Sequence, residues 1–242
     1  MYIEGDSGEK ILVDTGPEFR LQALREGITE LDAVLLTHPH ADHLHGIDDL
    51  RPLTYEKTIP VYGYKWVLTE VANRFDYIWA KRTQQGGGLP HLEIIPIDKK
   101  TLRKGMSIGN INIMPIPIVH GKLAILGWKF KEGEKRFVYI TDVSRISFIS
   151  FLKVMRCNVL VIGALRMSPH ATHFSFGEAL HFAKKIYRSP EGKKYLREVY
   201  LTHICHNHSH KEIENFCTAW MHKNNIKRLT ISPAYDTMRI EL

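Results

Sequence analysis

Four side chains that bind metals follow one apolar run near the start of the chain. His38, His40, Asp42 and His43 form the pattern H-x-H-x-D-H, two residues after Leu36. Residues two apart on an extended backbone point the same way, so His38 and His40 can bind one cation, with Asp42 and His43 beside them at the turn into a helix. Imidazoles and carboxylates without a thiolate suit zinc, manganese or iron held for hydrolysis, rather than a closed structural zinc site. The spacing therefore predicts a catalytic metal centre.

A second junction between a strand and a loop repeats this arrangement. Thr37-His38 and Thr202-His203 each stand directly after an apolar run, and a helical pattern follows each pair. Two strand ends would then present imidazoles at the same kind of loop. The repeat favours a site to which two halves of a mixed α/β domain contribute.

The elements that must position these residues alternate along the chain. The β-like runs are Ile11–Val13, Ala33–Thr37, Pro60–Tyr62, Leu92–Ile97, Ile108–Val119, Ile125–Phe130, Phe137–Thr141, Val159–Ile162, Val199–Thr202 and Arg228–Ser232. The clearest helical patterns are His43–Leu50, Trp66–Phe75, Phe176–Tyr187 behind Ser175 as N-cap, and Lys211–Lys223. Strands and helices interleave at both ends and strands dominate the middle, which predicts an α/β fold of two mixed sheets packed together with helices outside.

Composition sets the remaining limits. The 242 residues carry 14 histidines and a formal charge of +7, which favours anionic partners such as phosphate esters, nucleic acid or acidic lipid without choosing among them. No shift of composition marks a linker, so we expect a single domain over residues 1–242. The chain has 3 cysteines and no CxxC pair, shows no apolar run of membrane-spanning length, and opens without a signal-peptide pattern. A cytoplasmic protein without a membrane anchor is the expectation.

The sequence resembles the metallo-β-lactamase superfamily of hydrolases over most of its length. Asp14 matches the family's early aspartate at a strand end, His120 its third motif, Asp142 its bridging carboxylate and His203 its last ligand. The resemblance implies an αβ/βα sandwich and two divalent ions, Zn²⁺ or Mn²⁺. One ion would be held by His38, His40 and His120, the other by Asp42, His43 and His203, and both by Asp142.

Within the superfamily, the sequence is most similar to the branch of phosphoribosyl cyclic phosphodiesterase and ribonuclease Z. The matching segments are Ala41–Arg51, Ala164–Arg166, Pro169–Ser175 and Pro233–Asp236. The resemblance implies that His173 takes part in the reaction without binding a metal ion. Asp42 and His173 are the candidate catalytic residues. Arg166 and His170 are the candidate substrate-binding residues.

Two positions depart from the family pattern. Only thirteen residues precede Asp14, so we expect the fold to lack the N-terminal strand of its relatives. Gly163 stands where relatives commonly carry aspartate, so the hydrogen bond that such an aspartate makes to the ligands would be missing here.

An aromatic segment, Phe75 to Trp79 with Gly86–Pro90, is either a lid or a packed loop.

The expected activity is hydrolysis of a small phosphodiester, cyclic or linear. Two ions would lower the pKa of a shared water and hold the hydroxide for attack on phosphorus. Ribonuclease Z activity is the first alternative; the 22 residues from His120 to Asp142 are too few for the basic arm of that family, so RNA is less favoured as a partner. Thioester or lactone hydrolysis and a non-catalytic binding protein remain further alternatives, and a homodimer is left open.

Overall fold

The structure is a computed structural model that describes residues 1–79 and 88–242. The chain falls into two compact units, Met1–Asn112 and Ile113–Leu242. The single domain expected over residues 1–242 stays a prediction. Residues 86 and 87 of the aromatic segment with its glycines lie outside the described residues, so the lid stays untested.

The first unit contains a five-stranded sheet in the order β1-β2-β3-β4-β5. Its strands are β1 (Tyr2–Glu4), β2 (Lys10–Val13), β3 (Ala33–Leu35), β4 (Ile59–Gly63) and β5 (Leu92–Pro96). β1 pairs antiparallel with β2, and the other three pairs are parallel. The helices are α1 (Phe19–Glu26), α2 (Ala41–Leu44), α3 (Lys65–Arg74), α4 (Asp76–Trp79) and α5 (Lys99–Lys104), with a 3₁₀ segment at Ile47–Thr54.

The core of this unit explains why the H-x-H-x-D-H pattern begins where it does. All three residues of β3 are buried, as expected for an inner strand of a parallel sheet. Leu36, Leu44 and Ile47, from the segments on either side of the H-x-H-x-D-H pattern, are fully buried in the same apolar cluster. The apolar residues thus fix both ends of the loop that carries the histidines.

The second sheet has seven strands in the order β12-β11-β10-β9-β8-β7-β6. They are β6 (Met106–Ile108), β7 (Ile111–His120), β8 (Leu123–Glu132), β9 (Lys135–Ile140), β10 (Val159–Gly163), β11 (Glu198–Thr202) and β12 (Thr230–Pro233). β8 and β9 form an antiparallel hairpin, whereas β9 to β12 pair in parallel. The helices are α6 (Phe148–Val154), α7 (Phe176–Arg188), α8 (Pro190–Tyr195) and α9 (His210–Lys223).

Local sequence signals fix the two longest helices. Ser175 begins α7 and Ser209 begins α9, and each forms a capping box with the glutamate three residues later. The predicted N-cap Ser175 is therefore confirmed. No helix in the described ranges has the length and apolarity needed to cross a bilayer.

The predicted class of two mixed sheets with helices is confirmed, but four details differ. The helix predicted over His43–Leu50 is divided between α2 and the 3₁₀ segment Ile47–Thr54. Residues 2–4 form an outer strand, although no strand was predicted ahead of Ile11. The run Ile108–Val119 is divided between β6 and β7, because Gly109 adopts φ 53° and turns the chain. The short helices α1, α4, α5, α6 and α8 were not predicted.

Candidate metal centre

The H-x-H-x-D-H cluster lies at the carboxyl end of β3 and in the first turn of α2. Nε2 of His38 is 3.0 Å from Nδ1 of His40, and Nε2 of His43 is 3.3 Å from Oδ2 of Asp42. Two nitrogen ligands of one tetrahedral zinc ion are about 3.3 Å apart, given zinc–nitrogen bonds of about 2.0 to 2.1 Å. Each pair of atoms is therefore spaced as two ligands of one ion.

Asp14 orients this cluster from behind. Its Oδ1 accepts the backbone N–H of Thr37 at 2.8 Å, and its Oδ2 accepts the Thr37 hydroxyl at 2.7 Å and Nδ1–H of His43 at 2.8 Å. Both Asp14 and Thr37 are buried. The carboxylate thus holds the strand end and one imidazole in a fixed relation.

The same bonds fix which nitrogen of each ring carries the proton. The hydroxyl of Thr37 donates to Asp14, so its oxygen accepts Nδ1–H of His38 at 2.9 Å. His43 likewise donates Nδ1–H to a carboxylate. In both rings Nε2 is left with the lone pair that a metal ligand needs.

The second cluster, in the unit Ile113–Leu242, collects residues from the ends of three strands. His120 is the last residue of β7, Asp142 follows β9 and His203 follows β11. His120 and Asp142 each offer a ligand atom within 4.8 Å of the other, and so do Asp142 and His203. Nδ1 of His120 donates to the carbonyl of Thr172 at 2.8 Å, which leaves Nε2 of His120 as its ligand atom.

Asp142 is almost fully buried at 1% exposure, and it has several polar neighbours. The hydroxyl of Thr141 donates to its Oδ1 at 2.7 Å, and Nδ1 of His203 lies 3.0 Å from the same oxygen. A buried carboxylate is unfavourable unless such donors or a cation stabilise it. Its central place among these groups suits a bridging ligand.

His173 stands beside this cluster. Its Nε2 is 3.8 Å from Oδ2 of Asp142, and its ring stacks on His203 with 5.0 Å between centroids and 10° between planes. His170 lies 3.1 Å from it, measured between the two Nδ1 atoms. Burial, with the charges of His173 and Arg166, lowers the pKa of His170 below its usual value.

Arg166 contacts its own loop. Its guanidinium donates to the carbonyl of Pro169 at 3.0 Å. Backbone bonds from Leu165 to Phe174 and from Phe176 to Arg166 close the same loop at its base. Arg166 therefore helps to shape the segment that carries His170 and His173, and its predicted contact with substrate stays a prediction.

Three of the functional side chains lie on unusual backbone. Asp14, Asp142 and His203 have φ values of 59°, 49° and 56°, in the left-handed region that few residues other than glycine adopt. Each follows the end of a strand by one or two residues. Such conformations persist where the surroundings determine them, and they concentrate at functional sites.

Gly163 has a steric role at this site. A Cβ atom there would lie 2.9 Å from the backbone nitrogen of Asp142 and 3.3 Å from backbone carbons of Thr141. No side chain, aspartate included, fits at this position without moving the strand end. In place of the missing aspartate, the hydroxyl of Thr141 donates a hydrogen bond to Asp142.

The sequence interpretation missed the threonines. Thr37, Thr141 and Thr172 each bond a candidate ligand or acid, and each stands directly before His38, Asp142 or His173 in the chain. The Thr-His repeat was noted only for its histidines. The other histidines contact different partners: His45 packs on Phe75, His208 on Phe176, and His210 on Tyr235.

The donor set fits divalent cations. The candidate ligands comprise the imidazoles of His38, His40, His43, His120 and His203 and the carboxylates of Asp42 and Asp142. Imidazole and carboxylate ligands serve zinc and manganese. In three of the rings a hydrogen bond at Nδ1 directs Nε2 outward, which is the usual support for a histidine ligand.

A family model described as "Beta-lactamase superfamily domain" matches residues 9–204. The match spans well over half of the chain, from before Asp14 to just past His203, so the chain belongs to this family. The predicted membership of the metallo-β-lactamase superfamily and its α/β sandwich fold class are thereby confirmed.

Three related proteins can be compared with this chain in detail. A solved diphosphatase of the PhnP family is 29% identical, with a TM-score of 0.77 over 100% of this chain and 83% of that one. An octanoyltransferase of Porphyromonas gingivalis is 35% identical over 181 residues, which are 74% of this chain and 35% of that protein. The exodeoxyribonuclease WalJ of Streptococcus pneumoniae is 27% identical over 154 residues, 60% of this chain and 50% of that protein. The chain thus spans a third to a half of these two curated relatives.

Proposed function

We propose that the chain is a dinuclear metal-dependent phosphodiesterase that hydrolyses a small, cyclic or linear, phosphodiester. The two clusters would hold two ions, Zn²⁺ or Mn²⁺. One ion would be bound by His38, His40 and His120, the other by Asp42, His43 and His203, and both by Asp142. The family membership supports this assignment, since the matched region includes every one of these residues.

Bound as a pair, divalent ions supply an activated water and neutralise charge on the phosphoryl oxygens. The protein residues supply the rest. Asp142 accepts hydrogen bonds that hold it in place, and Asp14 keeps Nε2 of His43 directed outward. His173 gives a proton from Nε2 to the alkoxide that leaves when the phosphorus–oxygen bond breaks. The water oxygen forms the new bond to phosphorus, and the proton that the water loses replaces the one given by His173. The products are a phosphomonoester and an alcohol.

The observation that carries this proposal is the position of His173. Its Nε2 is 3.8 Å from the carboxylate of Asp142, close enough to reach a group bound there. Its ring is partly shielded, with 15% of the side chain exposed. An acid at this place is useful for a reaction with a poor alkoxide leaving group, as in phosphodiester hydrolysis.

The names of the relatives agree with chemistry at phosphoryl groups. A diphosphatase and an exodeoxyribonuclease both act on phosphate esters or anhydrides by name. The octanoyltransferase names an acyl reaction, but this chain corresponds to only 35% of that protein. Acyl substrates therefore have less support than phosphodiesters.

A small substrate is favoured over transfer RNA by the β8–β9 hairpin. Almost all of the residues from His120 to Asp142 belong to these two strands, which are joined by the short turn at Gly133. No RNA-binding arm stands between these two candidate ligands.

We also propose a cytoplasmic location. The free thiols of all three cysteines agree with it.

The test is a substrate panel on the purified, metal-loaded chain. It comprises bis(p-nitrophenyl) phosphate, a 2′,3′-cyclic nucleotide, a cyclic ribose phosphate, a thioester and a lactone. We expect turnover of diesters, and a loss of at least about 100-fold in Asp142→Asn, because removal of the bridging charge removes metal-dependent catalysis. Asp6→Asn, at an exposed position, is the matched control and should keep the full rate.

Turnover of the thioester or lactone without any diester would replace the proposal with acyl hydrolysis. No turnover of any substrate by a protein that binds the metal ions would favour the binding protein. Full diesterase activity in Asp142→Asn would contradict the assigned metal site.

A further inference from the structure

Thr172 makes more contacts with the candidate active-site histidines than its sequence position suggests. Its carbonyl accepts Nδ1–H of His120 at 2.8 Å. Its hydroxyl oxygen is 2.8 Å from Nδ1 of His173 and 3.2 Å from Nδ1 of His170. One residue thus touches a candidate ligand, the candidate acid and the histidine behind that acid.

The backbone of Thr172 determines the proton arrangement in this group. Its N–H points to Nδ1 of His170 at 3.3 Å, so this nitrogen is an acceptor. Nδ1 of His173, 3.1 Å from the same nitrogen, must then carry a proton, since two acceptors would repel each other. In this arrangement the hydroxyl oxygen of Thr172 accepts the hydrogen bond from Nδ1–H of His173.

Packing holds the hydroxyl in this orientation. The methyl group of Thr172 lies against Gly121, where an added Cβ atom would come within 2.8 Å of it. Gly121 directly follows His120, and the hydroxyl of Ser144 accepts its N–H at 3.0 Å. The methyl therefore faces the turn after β7 and the hydroxyl faces the two histidines.

We propose that Thr172 is a positioning residue: its hydroxyl keeps the proton of neutral His173 on Nδ1, so that Nε2 is the nitrogen that exchanges a proton with the substrate. Its carbonyl at the same time orients His120. The hydroxyl role rests on the proposed function, because it concerns the acid of that reaction. The proposal predicts that a change of the Thr172 side chain alters His173 and leaves the bond from the carbonyl to His120 in place.

Two variants make this separation. Thr172→Val keeps the shape and the carbonyl but removes the hydroxyl, and Thr172→Ser keeps the hydroxyl. We expect kcat for the diester to fall about 10-fold or more in Thr172→Val with KM and bound metal unchanged. The fall should stay below the roughly 10²- to 10⁴-fold contribution of general acid catalysis itself. Thr172→Ser should restore kcat to within a few fold.

A second readout does not depend on activity. Nitrogen-15 NMR of the metal-free protein, at a pH where His173 is neutral, should show a single Nδ1–H tautomer for this ring. The same tautomer should persist in Thr172→Ser, and a mixture should appear in Thr172→Val. This result would support the positioning role even if the diester were the wrong substrate class.

Three results would overturn the inference. The first is a wild-type tautomer and wild-type kcat in Thr172→Val. The second is failure of Thr172→Ser to restore either measurement. The third is loss of bound metal or of cooperative unfolding in Thr172→Val, since the residue would then act on the fold or on His120 rather than on His173.

Discussion

At the scale of single residues, the site is organised by carboxylates and hydroxyls that stand behind the candidate ligands. Asp14 accepts three hydrogen bonds, two of them from Thr37 and one from His43. Thr37 in turn orients His38. The geometry of the first cluster therefore depends on one buried carboxylate that is not itself assigned to a metal ion.

Asp14→Asn tests this dependence. An amide has the right size but loses the charge and presents an N–H₂ group toward Thr37 or His43, so one of the three bonds becomes unfavourable. We expect metal affinity to fall about 10- to 100-fold, the usual effect of losing support behind a histidine ligand. Competition with a chromogenic chelator measures it. An unchanged affinity would show that His43 does not need Asp14.

The candidate ligands could be named from the sequence, whereas the residues that support them could not. A pattern such as H-x-H-x-D-H carries its meaning in residue types and spacing. The partners of Asp14 are 23 and 29 residues away, and Thr172 is 52 residues from His120. Contacts over such separations depend on the folded chain. The one local signal, a threonine directly before His38, Asp142 and His173, does not reveal the contacts with Asp14 and His120.

At the scale of elements, strand ends decide where the chemistry lies. β2, β3, β7, β9 and β11 each end within three residues of a functional side chain. The apolar runs that form these strands are visible in the sequence, and all five were predicted, though with different bounds. The missed helices are short, and α1 has Leu21 and Leu24 exposed, so its apolar residues do not follow a buried face.

Gly163→Ala tests how tightly two strand ends approach each other. The added methyl would meet the Asp142 nitrogen at 2.9 Å, and backbone atoms cannot move aside as a flexible side chain can. We expect a loss of about 1 to 3 kcal/mol in the free energy of unfolding, typical of overpacking, measured by urea denaturation of the metal-free protein.

Gly177→Ala in α7 is the matched control. A Cβ atom there meets nothing within 4 Å, so alanine should be neutral or stabilise the helix by up to about 1 kcal/mol. Equal effects of the two substitutions would contradict a steric role for Gly163.

At the scale of the whole molecule, stability should depend on pH through a buried lysine that is not one of the candidate metal ligands. Lys129 in β8 donates to the carbonyls of Lys153 and Met155, at the end of α6, at 2.9 and 2.6 Å. Burial lowers the pKa of Lys129 to about 8. The folded state thus releases this proton well below the usual pKa of lysine.

The sign follows from proton binding. Between pH 8 and about 10.5 the unfolded chain binds more protons at this site than the folded chain, so its contribution to stability rises with pH. Between pH 7.5 and 9.5, we expect the free energy of unfolding of the wild type to rise by up to about 2 kcal/mol relative to that of Lys129→Met. Burial raises the pKa of Cys157 to about 12, which has the opposite sign, and the charge of Lys129 lowers that pKa. Both proteins therefore carry Cys157→Ala in this comparison. Parallel pH curves would contradict the assignment.

The family match includes residues of both units. It runs through residues 9–204, and so through both clusters of candidate ligands. The sequence resemblance could predict that family because its motifs are local. The substrate is set by the shape and charge of the surfaces around the ligands, which no local motif encodes.

The most direct test of the account is the number of ions bound per chain. Elemental analysis and calorimetric titration with Zn²⁺ or Mn²⁺ should give two ions for the wild type. Asp142→Asn should weaken both, because this one residue is assigned to both ions, whereas His120→Ala and His203→Ala should each weaken a different one. A single ion in the wild type, or two ions that Asp142→Asn leaves unchanged, would contradict the dinuclear site.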